Sequence, residues 1–304
     1  MQAIKEVGGE IVAALDKNDS VGVMDSYFPN AAFFTEFERF DRHLEKLKRK
    51  GEKVDYLVVC SPNYLHDAHI RFALRYGAHV ICEKPVVLNP WNIDALSQLE
   101  MEYGTKIYTI LQLRLHPTII EMKKKMDAGD QTHVHEVELS YITSRGQWYF
   151  TSWKGIEEKS GGIATNIGIH FFDMLQWIFG DVVENKVHIR THDRAAGYLQ
   201  LERARIKWFL SINEDTLPPK AKEIGKRTYR SITVDGDELE FSDGFTDLHT
   251  ASYQHILSGD GFGISEAGKS IEIVHAIRTN AIEKELKNIH PLAGLLPSKH
   301  PFEH

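Results

Sequence analysis

A lysine ordinarily holds its proton far above neutral pH, so a lysine that is to move a proton must sit where water is scarce. Lys84 meets that condition on sequence grounds. It lies in Glu83-Lys84-Pro85, directly after the apolar run Val80-Ile81-Cys82, which reads as a buried strand whose carboxyl end opens on a cleft. Pro85 restricts the lysine backbone and admits a cis bond that would fix its direction. A second group, Cys60-Ser61-Pro62-Asn63-Tyr64-Leu65-His66, places small and polar residues at another strand end, the edge where open α/β sheets bind ligands, with His66 one turn into the next helix. Ser61-Pro62 also reads simply as a helix start with proline in the first turn. A third group begins at Ser160-Gly161-Gly162 and runs into a helix. On it Asn166 and His170 stand four apart and Asp173 three further, so all three can share a face while Ile167, Phe171 and Leu175 pack on another. Finally, Leu15-Asp16 ends a short apolar strand in a carboxylate, where a dinucleotide sheet places the acceptor for ribose hydroxyls. A solvated loop aspartate is the alternative.

The elements that must position these groups follow from periodicity. A short helix over Gln2 to Val7 stops at Gly8-Gly9, and a strand spans Glu10 to Asp16. A polar, helix-compatible stretch and a lysine-rich helix near Asp41 to Lys50 lead to a strand at Val54 to Cys60. A helix follows from Tyr64 to Tyr76, then a strand from Ala78 to Glu83, a helix from Pro90 to Tyr103, and a strand from Lys106 to Leu111. Near-continuous apolar strands alternating with helices predict a parallel, Rossmann-like α/β sheet. From His133 the texture changes to long alternating strands at 134–141, 186–191, 197–202, 205–212 and 229–241, the last with an Asp235-Gly236 hairpin turn. One helix near Thr165 to Phe179 interrupts them, and another spans Glu266 to Leu286. The expected fold is α/β plus α+β: a dinucleotide-binding domain at 1–113, an open-faced antiparallel sheet domain at 114–290 and an extended tail at 291–304. The boundary between the domains lies within 113–132.

Composition excludes several functions. The 304 residues carry 36 Lys and Arg against 43 Asp and Glu, a net charge of -7, so no broad basic face for nucleic acid is expected. Cys60 and Cys82 cannot form a disulfide framework or a four-thiolate zinc site. No apolar window reaches membrane-spanning length and the start lacks a signal-peptide layout, which points to the cytoplasm. Among the 16 histidines, His133 and His135 alternate on one strand face, but without paired cysteines or a His-Glu-x-x-His spacing no metal is expected. No Gly-x-Ser-x-Gly elbow supports a serine hydrolase.

Taken together, Asp16, Cys60-Ser61-Pro62-Asn63 with His66, Glu83-Lys84-Pro85, Leu111-Gln112-Leu113-Arg114 and the Gly-Gly helix with His170 and Asp173 resemble the Gfo/Idh/MocA oxidoreductase family over essentially the whole chain. Arg145-Gly146-Gln147-Trp148-Tyr149, Ser152-Trp153-Lys154-Gly155 and Ser160-Gly161-Gly162 resemble most its UDP-N-acetylglucosaminuronate 3-dehydrogenase subgroup. The resemblance implies NAD-linked oxidation of the 3-hydroxyl of a UDP-linked N-acetylated uronic sugar in surface-polysaccharide (lipopolysaccharide O-antigen) synthesis. It further implies a homotetramer formed through the sheets and possible cofactor reoxidation by 2-oxoglutarate. Lys84 and His170 would be the catalytic pair. Asp16, Ser61, Pro62, Asn63, His66, Glu83, Gln112 and Trp153 would hold NAD, and Arg114, Arg145, Lys154 and Asn166 the substrate. The Asp16 charge would repel a 2'-phosphate, favouring NAD over NADP.

Two departures accompany the resemblance. Asn166 stands where many members have aspartate, and an amide can position a sugar but cannot take its proton. The glycine fingerprint expected before Asp16 is absent and the chain opens inside what reads as the following helix, so it reads as a family-sized enzyme less about 15 to 20 residues, with weakened cofactor affinity. The rival expectations are a dehydrogenase of a free sugar or polyol, a non-catalytic sugar or dinucleotide sensor, and a truncated, cofactor-incompetent form.

Overall fold

The computed structural model describes residues 1–18, 22–239, 247–285, 287–294 and 299–302. Helix α1 (Gln2–Glu6) leads to β1 (Ala13–Leu15), and α2 (Val23–Tyr27) to β2 (Ala32–Phe34), which pairs in parallel with β1. The sequence shows no sign of β2, because three residues are too few to display a period. Next come α3 (Phe37–Arg49), β3 (Tyr56–Val59), α4 (His66–Tyr76), β4 (His79–Cys82), α5 (Pro90–Tyr103) and β5 (Ile107–Thr109). Strands β3, β4 and β5 form a second parallel sheet in that order. Val80, Ile81 and Cys82 are at most 2% exposed, as expected for a central strand covered by helices on both faces. The β1–β2 ladder is separate from this sheet. Side chains join the two: Phe40 and Leu44 of α3 and Phe72 of α4 pack with Leu15, Phe34 and Leu57.

Helix α6 (Pro117–Ala128) occupies the stretch expected to be a domain boundary, with proline at its first turn and Ile119, Met122 and Met126 buried. After it come β6 (His135–Thr143), α7 (Trp148–Thr151), a 3-10 turn at Trp153–Gly155, α8 (Glu157–Ser160), a π-helical segment at Ala164–Gly168 and α9 (Ile169–Phe179). The chain continues through β7 (Val182–Arg190), β8 (Arg194–Leu201), β9 (Ala204–Ser211), α10 (Pro219–Glu223), β10 (Thr228–Val234), β11 (Asp237–Glu238), α11 (Leu248–Leu257) and α12 (Ile264–Thr279). The six strands β6 to β11 lie in the order β11-β10-β6-β9-β8-β7. The sheet is mixed rather than purely antiparallel, since β6 pairs in parallel with β9. Alternation of apolar residues fixes which face is buried but not the direction of the neighbouring strand, and the β7–β8–β9 meander returns β9 alongside β6 in the same sense.

Helix α9 covers one face of this sheet, with Phe172 edge-on to the fully buried Trp208 at 5.3 Å. Helix α12 ends at Thr279, short of the expected Leu286, which lies outside the described residues. It packs on α5, α9 and β7, and so ties the two halves together. Residues 240–241 of the expected last strand also lie outside the described residues. The described part of the tail is not all extended. Pro291–Gly294 makes a 3-10 turn, and Ala293 is buried against Ile142 and Phe209.

Gly197 of β8 sits where a methyl group would strike the Lys186 carbonyl of the adjacent strand and the Trp208 ring. Gly197→Ala is therefore expected to destabilise the chain by about 1–3 kcal/mol through overpacking. Urea denaturation measures this, and an unchanged midpoint would show that the sheet gives way at no cost.

Candidate active site

The carboxyl ends of β3 and β4 open into a cleft of about 360 Å³ lined by Cys60, Ser61, Asn63, His66, Glu83, Lys84, Arg145, Tyr149, Trp153, Lys154, Asn166 and Ile167. Three separate sequence groups meet here. The strand ends bring Ser61, Asn63, Glu83 and Lys84; the α7–α8 region brings Trp153 and Lys154; the π segment brings Asn166. Arg145, just after β6, completes the rim.

His66 is 1% exposed and acts as a strut between two strand ends. Its Nδ1 lies 2.7 Å from the Pro85 carbonyl and its Nε2 2.7 Å from the Ser61 carbonyl. A neutral ring donates to only one of these carbonyls, and His66 lines the cleft while tying the two strand ends together. Burial lowers its pKa, against the two carbonyl contacts, which favour the charged ring. Asn63 Nδ2 donates to the Ser160 carbonyl at 2.9 Å, tying the same loop to the Gly-Gly turn, and Pro62 starts the one-turn 3-10 helix that carries Asn63. The Ser61 hydroxyl is 2.9 Å from His69 Nδ1.

Lys84, joined to Pro85 by a cis peptide bond, donates from Nζ to the Asn166 carbonyl at 2.8 Å. That carbonyl lies in the π segment, where the helical hydrogen-bond pattern is shifted, a feature frequent at functional sites. Burial drives the Lys84 ammonium down to about 8, and Lys154 and Arg145 add repulsion against the pull of Glu83. Burial also holds His170 well below the usual imidazole range, with the charges of Lys84, His249 and Arg230 adding to the effect. His170 is consequently neutral at physiological pH. The Asn166 amide donates to the Tyr149 hydroxyl at 2.9 Å. Lys154 Nζ lies over the Trp148 and Trp153 rings at 5.3 and 5.8 Å, and the Arg145 guanidinium over Trp148 at 5.9 Å.

Other expected site residues lie elsewhere. Arg114, assigned to substrate, is 6% exposed and makes a bidentate pair with Asp173, Nε to Oδ2 at 2.9 Å and Nη2 to Oδ1 at 2.7 Å. Its Nη1 reaches Glu266 at 3.3 Å, so none of its reach is left for the cleft. Asp173 therefore points into the core, away from the face expected to present it beside Asn166 and His170. Gln112 sits in the 3-10 turn after β5, outside the cleft lining, with its Oε1 buried and without a hydrogen-bond partner among the described residues. Asp16 is exposed at the end of β1, accepting from the Asn18 backbone and side chain at 2.9 and 3.1 Å.

Two participants escape the sequence reading. Tyr149 is 2% exposed and fixes Asn166; a tyrosine beside the tryptophan-rich run was the available signal. His249 of α11 pairs with Glu83 at 3.2 Å, and that hydrogen bond raises its pKa. Burial tends to raise the Glu83 pKa, but His249 and Lys84 more than offset this and hold it low. No sequence signal marked His249, because the contact spans 166 positions.

The Arg114–Asp173 pair generates a stability prediction. Asp173→Asn is expected to cost about 3–5 kcal/mol because it strands a buried guanidinium, whereas Arg114→Met combined with Asp173→Leu should recover most of that loss. Urea denaturation of the two single variants and the double variant tests the coupling, and additive losses would disprove it.

Comparison with known proteins finds matches in both halves of the chain. Residues 3–110 match the family model "Oxidoreductase family, NAD-binding Rossmann fold", and residues 123–227 match "Oxidoreductase family, C-terminal alpha/beta domain", both of GFO_IDH_MocA. The structure resembles the WlbA (WbpB) dehydrogenase of Thermus thermophilus in complex with NAD and alpha-ketoglutarate, at 51% identity and TM-score 0.92, covering 95% of this chain and 94% of that one. A complex of the Thermus thermophilus protein with NAD and UDP-GlcNAcA gives 50% identity and TM-score 0.91, with the same coverage. The putative oxidoreductase YteT of Bacillus subtilis is 27% identical over 176 residues, 56% of this chain, and the match spans 40% of YteT's own length. With the cleft at the carboxyl ends of a parallel sheet and the mixed sheet behind it, these matches place the chain in the Gfo/Idh/MocA oxidoreductase family.

Proposed function

We propose that the chain oxidises the 3-hydroxyl of a UDP-linked N-acetylated uronic sugar with NAD. The observation that carries this reading is Lys84, held near pKa 8 in a cleft whose other cations are Arg145 and Lys154, in a chain about half identical to a dehydrogenase seen with NAD and UDP-GlcNAcA. The cleft residues fit the nicotinamide end of the cofactor: Ser61, Asn63 and Glu83 lie at the strand ends, Trp153 faces them from the 3-10 turn after α7, and Asp16 follows β1 in a position suited to a ribose. A glycine-rich turn that would cradle the pyrophosphate is not among the described residues. NAD supplies the hydride acceptor; the chain supplies position and proton transfer.

In this reading the neutral Lys84 amine takes the hydroxyl proton. A base works best with its pKa near the working pH, and His170, held well below that range, is the weaker base and serves as a neutral partner that orients the hydroxyl. Asn166, fixed by Tyr149, positions the sugar without taking a proton. Arg145 and Lys154 meet the diphosphate and carboxylate of the substrate. We further infer reoxidation of the bound cofactor by 2-oxoglutarate, supported by the alpha-ketoglutarate complex of the Thermus thermophilus protein. A cytoplasmic homotetramer in surface-polysaccharide synthesis completes the proposal, along with division into domains at 1–113 and 114–290. No helix among the described residues is long and apolar enough to cross a membrane.

Single-turnover NADH formation, read by absorbance, tests this. Lys84→Ala should lower the rate by two to four orders of magnitude while leaving UDP-sugar binding intact (about 10²–10⁴ for a general base). For the intact chain the rate should climb about tenfold per pH unit below pH 8 and level off above it, because only the deprotonated amine acts. A flat profile, or a variant at full rate, removes Lys84 from the mechanism. Faster oxidation of myo-inositol or a simple hexose than of UDP-N-acetylglucosaminuronate would replace the substrate class.

A further inference from the structure

His133 and His135 stand two apart at the start of β6 and share a face, with their rings edge to face at a centroid distance of 4.4 Å. The sequence offers them no third ligand. The fold supplies one: β10 pairs with β6 so that Val234 lies opposite Val137, and the next residue, Asp235, turns at φ 54 beside the two imidazoles. The Glu136 backbone N–H donates to Asp235 Oδ1 at 2.9 Å, and the Asp235 N–H donates to the Glu136 carbonyl at 2.8 Å, which fixes the carboxylate. Its other oxygen, Oδ2, lies 2.6 Å from His135 Nδ1 and 3.6 Å from His133 Nε2. Two imidazoles thus converge on one carboxylate oxygen, where a hydrogen-bonding role would need only one.

We propose that His133, His135 and Asp235 bind a first-row divalent transition-metal ion, outside the cleft. One ligand atom from each residue lies within 4.8 Å of the other two. Zinc with bonds near 2.0–2.1 Å needs tetrahedral ligand atoms about 3.3 Å apart, so the site closes with shifts of at most about 1.5 Å. Two imidazole nitrogens and a carboxylate suit zinc, cobalt or nickel, whereas magnesium and calcium prefer all-oxygen shells. The Glu136 N–H bond to the non-ligating oxygen orients the carboxylate as outer-shell contacts do in metal sites. His133 and Asp235 are exposed, which leaves an entry path and an open position for water. The bound ion would clamp the start of β6 to the edge hairpin β10–β11.

The test uses the full chain without an affinity tag, stripped with a chelator and titrated with Co²⁺ and then Zn²⁺. The expected result is one equivalent per chain, visible as cobalt d–d absorption that zinc displaces, together with a zinc-dependent rise in melting temperature. His135→Gln and Asp235→Asn retain hydrogen-bonding groups, so their metal-free melting temperatures report that they fold. In each, affinity should drop by at least about tenfold and the zinc-dependent rise should vanish. No bound equivalent, or binding of equal strength in both variants, overturns the proposal.

Discussion

Arg114 and Asp173 bring two opposite charges to 2.7 Å with both side chains almost wholly shielded from water. Removing two ions from solvent is costly, and the loss is offset only by the double hydrogen bond and by the faces of Trp177 and Phe262 around the guanidinium. The position of the pair explains its importance. Arg114 stands on the turn that leaves β5, Asp173 on α9, and Glu266 of α12, which also accepts from the Gly263 N–H at 2.8 Å, extends the network. Three elements from the two halves are thereby held in one register. His170 lies on the same helix as Asp173, one turn earlier, and Asn166 one turn before that, so the clamp that fixes α9 also fixes what faces Lys84.

The cleft reverses the electrostatic character of the chain. A net charge of -7 describes the whole protein, yet the charged groups lining the cleft are Lys84, Arg145, Lys154 and Glu83. Glu83 is paired with His249, so the local balance favours anions. The same crowding of cations, added to burial, lowers the Lys84 pKa. One arrangement thus serves both tasks of the proposed chemistry: it attracts an anionic nucleotide sugar and keeps the amine ready to accept a proton.

Much of the architecture could be read from the sequence. Pro90 and Gly104 delimit α5 as expected, and the Asp235-Gly236 turn closes the β10–β11 hairpin. The elements missed were those whose signal is weak or non-local. β2 is too short to show a period; α6 lies in the stretch between the two halves; α11 buries only Leu248, Ser252 and Ile256, one of them polar, so its apolar stripe is weak. In the cleft, Ser61, Asn63, Glu83, Lys84, Arg145, Trp153, Lys154 and Asn166 come together as expected, because strand ends and glycine turns carry local signals. His66 joins them in the lining, whereas Arg114 pairs with Asp173 outside it: an arginine near a strand end looks the same in sequence whether its partner is a ligand or a distant side chain.

The sequence by itself determined the parallel α/β half, the strand-rich half, the lysine at a buried strand end and the family resemblance, since each rests on periodicity or on contiguous motifs. The tertiary structure alone decided which charges are buried together and which face the cleft. Asp173 meets Arg114 from 59 positions away, His249 meets Glu83 from 166, and Asp235 meets His135 from 100. Helical spacing placed Asp173 beside Asn166 and His170, but the π segment that precedes α9 shifts the register of Asn166, and the pull of a buried guanidinium settled the direction of the carboxylate. Pairing energies at such separations depend on desolvation and distance, and neither quantity exists until the chain has folded.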